Sequence, residues 1–343
     1  MRPFFEAAYR GFRLAALALV TMTAAFGTFA APPVIHGAGA TFPMPVLAAW
    51  GAEYLHARGV ELHYEPVGSG AGIEQVESRQ ADFGATEAPL PAAELQRKGL
   101  LQFPAVIGAV VLVVNIAGIK SGDLRLSGEV LAEIYLGRIR KWNAAAIAAL
   151  NPGLSLPDSY ITVVHRSDAS GTSLLWSEFL ARSNPEWRRS VGAGMLPAWP
   201  TGVSDAGNEG VASSVQRTRM SIGYVEYAYA RQHRLSLVSL RNREGWFVSP
   251  GRAAFEAAAL TARWSSLEDT ALLLADPPGA GSWPIVGASF ILLPADAGER
   301  SAAVIRFFDW GLNQGRHAAE DLGYVPLPDA AVELVQKAWS QIR

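Results

Sequence analysis

Short apolar runs alternate along this chain with helix-spaced patterns, and three of the runs end in small, hydroxyl-rich turns that open a helix. The first run is residues 33–36, followed by Gly37-Ala38-Gly39-Ala40-Thr41-Phe42-Pro43 and a helical pattern over 45–54. Residues 60–64 alternate as a strand, and Pro66-Val67-Gly68-Ser69-Gly70-Ala71-Gly72 leads into a helix over 73–78. The third is the apolar run 161–164, the turn His165-Arg166-Ser167-Asp168-Ala169-Ser170-Gly171-Thr172-Ser173 and a helix over 174–180. Residues 81–89 read as a short buried strand ending in a polar loop, with Glu87 at its carboxyl end, where open α/β sheets place ligand-contacting groups.

Elsewhere the pattern sets the frame. Residues 107–116 are a nearly unbroken β-branched run that suits a strand buried on both faces. Residues 120–151 read as mostly helical, with Trp142 in the core, and 192–210 as an irregular Gly/Pro/Trp-rich stretch. A strand over 220–225 runs into Glu226 and a helix over 227–232; a second long apolar run covers 283–293; helices over 301–313 and 329–342 close the chain. This alternation predicts an α/β fold with helices on both faces of largely parallel sheets. If the chain leaves one lobe near residue 110 and returns near 290, lobe one is 31–109 plus 290–343 and lobe two is 110–289. The three turns then divide two and one across a cleft that closes by a hinge.

Composition narrows the function. Half of the 343 residues are hydrophobic, enough to bury a sizeable core in two compact domains. No cysteine is present, so disulfides, thiolate metal sites and a cysteine nucleophile are excluded, and the six histidines lack metal-ligand spacing. No metal or cofactor is expected. Arg2, Arg10 and Arg13 precede an apolar stretch over 14–26 and the small-x-small Thr28-Phe29-Ala30, which reads as an export signal cleaved after Ala30. No later stretch is long and apolar enough to span a bilayer, so the expected mature chain is a soluble periplasmic or secreted protein. The signal carries three Arg and one Glu, so its removal moves the formal charge from −2 to about −4. That charge argues against nucleic-acid binding and requires any bound anion to be held by local dipoles.

The turns supply such dipoles. A helix start leaves unpaired N–H groups backed by the positive end of the macrodipole, which makes a seat for an anion. Thr41, Ser69, Ser170 and Thr172 offer hydroxyl donors and the N–H groups near Phe42 and Gly171 add backbone ones, although any one hydroxyl could equally be a helix cap. Arg166 brings a fork of donors suited to a tetrahedral oxyanion, and Asp168 could hold that fork in one orientation. Many donors, few acceptors and no nucleophile beside a base point to binding rather than catalysis. Neither a Walker A pattern nor Gly-x-Ser-x-Gly occurs.

Several blocks, in this order and spacing, resemble the phosphate-binding protein of the bacterial phosphate-specific ABC importer. They are Gly37-Ala38-Gly39-Ala40-Thr41-Phe42-Pro43, Asp82-Phe83-Gly84-Ala85, Phe103-Pro104-Ala105-Val106-Ile107-Gly108, Ile134-Tyr135-Leu136-Gly137, Ser170-Gly171-Thr172-Ser173, Ile222-Gly223-Tyr224-Val225-Glu226-Tyr227-Ala228-Tyr229-Ala230 and Phe307-Phe308-Asp309-Trp310. The resemblance implies a two-lobed type II periplasmic binding protein, joined by two crossing strands, that captures inorganic phosphate and delivers it to an inner-membrane ABC permease. It implies a monomer, with no catalysis by this chain. Carried over, the phosphate contacts fall on Thr41, the Phe42 backbone, Ser69, Arg166, Ser170, Gly171 and Thr172, with Asp168 bracing the arginine. Glu87 stands where the family typically has an aspartate that accepts a hydrogen bond from protonated phosphate and repels sulfate. A binding protein for another tetrahedral oxyanion, such as arsenate, and an exported phosphatase remain the alternatives at this point.

Overall fold

A computed structural model describes residues 33–340 apart from 263, 265–272 and 297. The export signal expected over 1–30 and the end of the last expected helix lie outside the described residues. The described chain begins with strand β1 (Val34–Gly39), helix α1 (Met44–Arg58), β2 (Glu61–Glu65), α2 (Ser69–Glu77), β3 (Phe83–Thr86) and α3 (Ala92–Lys98), which lead to the long strand β4 (Leu100–Asn115). Proline in its first turn pre-sets the backbone of α1, and Gly59, at φ 68°, ends it by returning its N–H to the Leu55 carbonyl.

Beyond β4 come β5 (Arg125–Leu126), α4 (Gly128–Tyr135), α5 (Ala145–Leu150), β6 (Thr162–Arg166), α6 (Gly171–Ser183), α7 (Pro185–Ser190), β7 (Val203–Asp205) and α8 (Gly207–Arg217). They are followed by β8 (Ser221–Glu226), α9 (Tyr227–Gln232), β9 (Ser236–Leu237), β10 (Ser239–Arg241), β11 (Phe247–Val248), α10 (Arg252–Ala259) and β12 (Leu273–Ala275). Strand β13 (Ile285–Pro294) then returns, and α11 (Glu299–Asn313), α12 (Arg316–Leu322) and α13 (Asp329–Trp339) complete the described chain.

One sheet organises these elements, in the order β2-β1-β3-β13-β4-β8-β6-β7. Its two ends are parallel: β1 pairs with β2 and β3, and β6 with β7 and β8. Between them β13 and β4 run antiparallel to their neighbours. The result is a two-lobed α/β arrangement in which β4 and β13 connect the halves. Residues 100–109 of β4 pair with β13 and residues 110–115 with β8, so this strand changes partner between Ala109 and Val110. Its β-branched run is buried on both faces, which is why it reads as unbroken apolar sequence rather than as an alternation.

Two expectations are corrected. Residues 120–151 are not mostly helical; only α4 and α5 are. Gly122 and Gly137 turn the chain at φ 88° and 72°, and Ser127 caps α4 by accepting from the Val130 N–H. Trp142 is fully buried, with its indole N–H on the Met220 carbonyl, 3.0 Å away. Residues 192–210 are not wholly irregular either. Val203, Ser204 and Asp205 extend the sheet beside Val164, His165 and Arg166, because a neighbouring strand satisfies their backbone where no hydrophobic pattern marks them. Helix α8 then starts at Gly207.

Candidate anion-binding site

The carboxyl ends of the parallel strands β1, β3 and β6 and the first turns of α1, α2, α6 and α8 face one another where the two halves meet. Backbone bonds stitch the turns of the first half together: the Ala40 N–H donates to the Ala85 carbonyl at 2.8 Å and the Gly68 N–H to the Gly39 carbonyl at 2.8 Å. Two more cross to the second half: the Gly70 N–H reaches the Ala169 carbonyl at 3.0 Å, and the Gly171 N–H reaches Ser69 Oγ at 2.9 Å. Small residues are required for that approach. A Cβ on Gly70 would lie 2.7 Å from Ala169 Cβ, and one on Gly171 would lie 2.5 Å from Glu87 Oε2. Thr41, Phe42, Ser69, Glu87, Arg166, Ser170, Gly171 and Thr172 thus come together, all nearly or fully buried.

Their parts differ. Ser170 caps α6 by accepting from the Ser173 N–H, the structural role that any of the hydroxyls could have had. The Phe42 ring is wholly in the core, so only the backbone of this residue can serve a ligand. The Thr41–Phe42 peptide is held by Tyr229, whose hydroxyl donates to the Thr41 carbonyl at 2.7 Å, and the next carbonyl, that of Phe42, accepts from Tyr324 at 2.6 Å. A hydrogen bond to one end of a peptide polarises the N–H at the other, so Tyr229 strengthens the Phe42 N–H as a donor.

Arg166 is the last residue of β6 and is 1% exposed. Its Nε donates to Asp168 Oδ1 at 2.7 Å, its Nη2 to Asp168 Oδ2, and its Nη1 to Thr172 Oγ1 at 3.3 Å. Three of the five guanidinium N–H groups are thereby committed, and two are left for a ligand. Asp168 also accepts the Gly207 N–H at 3.0 Å. Burial disfavours its charge, but the hydrogen bonds and the charge of Arg166 outweigh that and hold its carboxyl below the usual range. The arginine is therefore braced in one plane and largely neutralised.

Glu87, immediately after β3, is fully buried; Oε1 accepts from Ser289 Oγ at 2.9 Å and Oε2 from Ser69 Oγ at 3.4 Å. Burial raises its pKa to about 7, against the opposing pull of the Ser289 hydrogen bond and the Arg166 charge. Near neutrality this carboxyl therefore exists in both forms, one that only accepts and one that can donate.

Sequence reasoning missed Asn208, Ser289 and the tyrosines behind Thr41 and Phe42. Asn208 sits in the first turn of α8, in a fourth glycine-bearing helix start, Ala206-Gly207-Asn208-Glu209-Gly210, inside the stretch read as irregular. The same turn signal could have found it. Ser289 is the one hydroxyl in the apolar run of β13, a weaker signal. His165 is stacked on Trp199 with ring centroids 4.8 Å apart and serves packing. Among the described residues no three His, Asp or Glu side chains converge as metal ligands. A groove of about 510 Å³ opens beside the site between Met44, Pro45 and Val67 on one side and Ala206, Gly207 and Glu209 on the other, reaching Thr41 and Asp168.

Comparison with known proteins bears on this constellation. Residues 27–313 match the PBP superfamily domain. The phosphate-binding protein PstS of Pasteurella multocida is 46% identical over 326 residues, 94% of this chain and 95% of that one. PstS of Methanocaldococcus jannaschii is 34% identical over 340 residues, 90% of this chain and 86% of that one. Among solved structures, a high-affinity periplasmic phosphate-binding protein bound with phosphate superposes with a TM-score of 0.68 at 22% identity, covering 88% of this chain and 93% of that one. An ABC-type phosphate transport receptor from Vibrio cholerae gives 0.55 at 18% identity, covering 86% and 100%. These structures share the fold, and the sequence identities with the bacterial and archaeal relatives decide the family. With its two parallel half-sheets, two connecting strands and near-complete alignment to those relatives, the chain belongs to the PBP superfamily and, within it, to the PstS phosphate-binding proteins.

Proposed function

We propose that this chain captures inorganic phosphate between its lobes and presents it to the permease of a phosphate ABC importer, without transforming it. The observation that carries the reading is the meeting of one acceptor carboxyl, Glu87, with a set of donors: the Thr41 and Thr172 hydroxyls, the Phe42 N–H and the two free N–H groups of Arg166, with the Ser69 hydroxyl beside them, where it accepts the Gly171 N–H and donates to Glu87. Hydrogen phosphate has three oxygens that only accept and one that also donates. The donors meet the former and Glu87 the latter, and a buried polar site left unpaired by the wrong anion rejects it. Ser170 contributes by fixing the first turn of α6, where the Gly171 N–H is held on Ser69 Oγ and Thr172 presents its hydroxyl.

Lobe one is residues 31–109 plus 290–343 and lobe two is 110–289, a division supported by the change of partner along β4 between Ala109 and Val110. Closure brings Thr41, Ser69 and Glu87 onto Arg166, Ser170, Gly171 and Thr172, with the groove beside Thr41 and Asp168 as the way in. Residues 1–30 are removed on export, after Ala30, and the mature monomer works in the periplasm; no helix among the described residues is long and apolar enough to cross a membrane.

Isothermal titration of the ligand-stripped mature protein with phosphate, sulfate and arsenate tests this. The expected result is tight one-to-one phosphate binding with a much weaker sulfate response near pH 8. Absence of phosphate binding, or equal sulfate binding there, refutes it.

A further inference from the structure

We infer that Asn208 is the positioning residue that turns the Thr41 and Thr172 hydroxyls, one on each side of the cleft, into obligate donors and so leaves Glu87 as the acceptor for the oxyanion's proton. This rests on the phosphate reading above. Asn208 is fully buried, and its amide orientation is fixed by the backbone: the Glu226 N–H lies 2.9 Å from Oδ1 and can be served only by an oxygen. The NH2 end must then face the opposite way, toward Thr41 Oγ1 at 2.7 Å and Thr172 Oγ1 at 3.3 Å. Its two hydrogens are divided between them.

A hydroxyl has one hydrogen and two lone pairs. Thr41 Oγ1 receives the Asn208 side chain and also the Asn208 backbone N–H at 3.1 Å. Thr172 Oγ1 receives Asn208 and Arg166 Nη1, the latter at 3.3 Å. Both oxygens therefore have their acceptor capacity filled, and each can only donate to a ligand. An oxyanion hydroxyl cannot place its proton on either of them. Discrimination by proton content thus depends on Asn208 as well as on Glu87, although Asn208 keeps its own hydrogens on the two threonines. Because Thr41 comes from the β1 turn and Thr172 from α6, the same amide also ties the halves of the site together when they meet.

The test is phosphate titration of wild type, N208A, N208D and the T41V/T172V pair with and without N208A, with thermal unfolding as the check on folding. N208A is expected to weaken phosphate about tenfold or more, the scale of a misdirected hydrogen bond to an ion. N208D keeps the shape and still offers an oxygen to the Glu226 N–H. Its second oxygen accepts from both threonines and turns their hydrogens inward, so its loss should exceed that of N208A. In the T41V/T172V background N208A should cost less than about threefold, because no hydroxyl is left to orient. A purely structural Asn208 would give the same loss in both backgrounds, and that result, or N208A binding within about threefold of wild type, overturns the inference. If N208A fails to fold, N208D decides alone: wild-type affinity there overturns it. Absence of phosphate binding by the wild type instead removes the functional reading and is separately visible.

Discussion

Glu87 makes selectivity against sulfate a function of pH. When ionised it offers only lone pairs, and a fully ionised anion placed beside it meets lone pairs with lone pairs. When neutral it can donate, and sulfate is then accepted. Burial places the transition at about pH 7. The neutral fraction is nearly complete at pH 5, about one half at pH 7 and about one in a hundred at pH 9. Apparent affinity scales with the competent fraction, so sulfate binding should weaken about tenfold per unit above pH 7 and about a hundredfold in all between pH 5 and 9. Phosphate carries its own proton across this range and should change only a few-fold. Glu87→Gln supplies an amide donor at every pH, so the variant should bind sulfate with the low-pH affinity of the wild type and no slope. Calorimetric titration of both proteins with both anions, at fixed ionic strength from pH 5 to 9, reads each curve directly. A flat sulfate profile in the wild type, or a slope that survives in Glu87→Gln, would show that this carboxyl is not the selector.

Arg166→Ala removes a buried cation and leaves Asp168 unpaired, so phosphate affinity should fall by about 3 kcal/mol or more, at least a hundredfold by titration; binding within threefold of wild type would place the anion elsewhere. Gly171→Ala puts a methyl group 2.5 Å from Glu87 Oε2 and 2.6 Å from its Cβ, so the two halves should fail to close; phosphate binding should drop at least tenfold while denaturant unfolding shows a loss of about 1–3 kcal/mol. The stability of the stripped protein should also follow Glu87. Its neutral form is favoured in the folded state, so the contribution is complete below pH 4.5 and is lost as pH rises through about 7, a fall of about 3 kcal/mol. Glu226, whose pKa burial also raises, adds a fall of the same sign, so the share of Glu87 is the difference between wild-type and Glu87→Gln unfolding curves, and a difference independent of pH would refute the assignment.

What the sequence made legible was local. The three turns at Thr41, Ser69 and Arg166–Thr172 each carry their signal within a few residues, a strand, a glycine- and hydroxyl-bearing turn and a helix start, and all three lie at the site. Burial of β4 on both faces left an unbroken apolar run, so its central position was equally visible. Strand β7 was not, since Val203–Asp205 is a strand only because β6 lies beside it, and pairing across 39 residues leaves no mark on a three-residue segment. The contacts of Asn208, 167 residues from Thr41, are likewise a product of tertiary meeting. Its turn was readable but its purpose was not. The family resemblance supplied the role of Glu87, whereas its second partner, Ser289, 202 residues away, emerges only from the folded chain.

The charge balance explains why so many weak donors are used. Asp168 occupies both the Nε and the Nη2 of Arg166 and cancels most of its charge, and Glu87 when ionised leaves the site net negative. Simple Coulomb attraction would therefore not hold a phosphate dianion there. On the reading proposed above, the anion is held by fixed dipoles at the starts of α1 and α6, while the Gly70, Gly207 and Asn208 N–H groups in the first turns of α2 and α8 are spent on Ala169, Asp168 and Thr41 and fix the frame of the site. A cluster of unneutralised basic residues would bind every oxyanion in the periplasm according to its charge. Dipoles with set directions, opposed by a single carboxyl and sharpened by Asn208, respond instead to where the anion keeps its proton, and the proton is what separates hydrogen phosphate from sulfate at equal charge and nearly equal size.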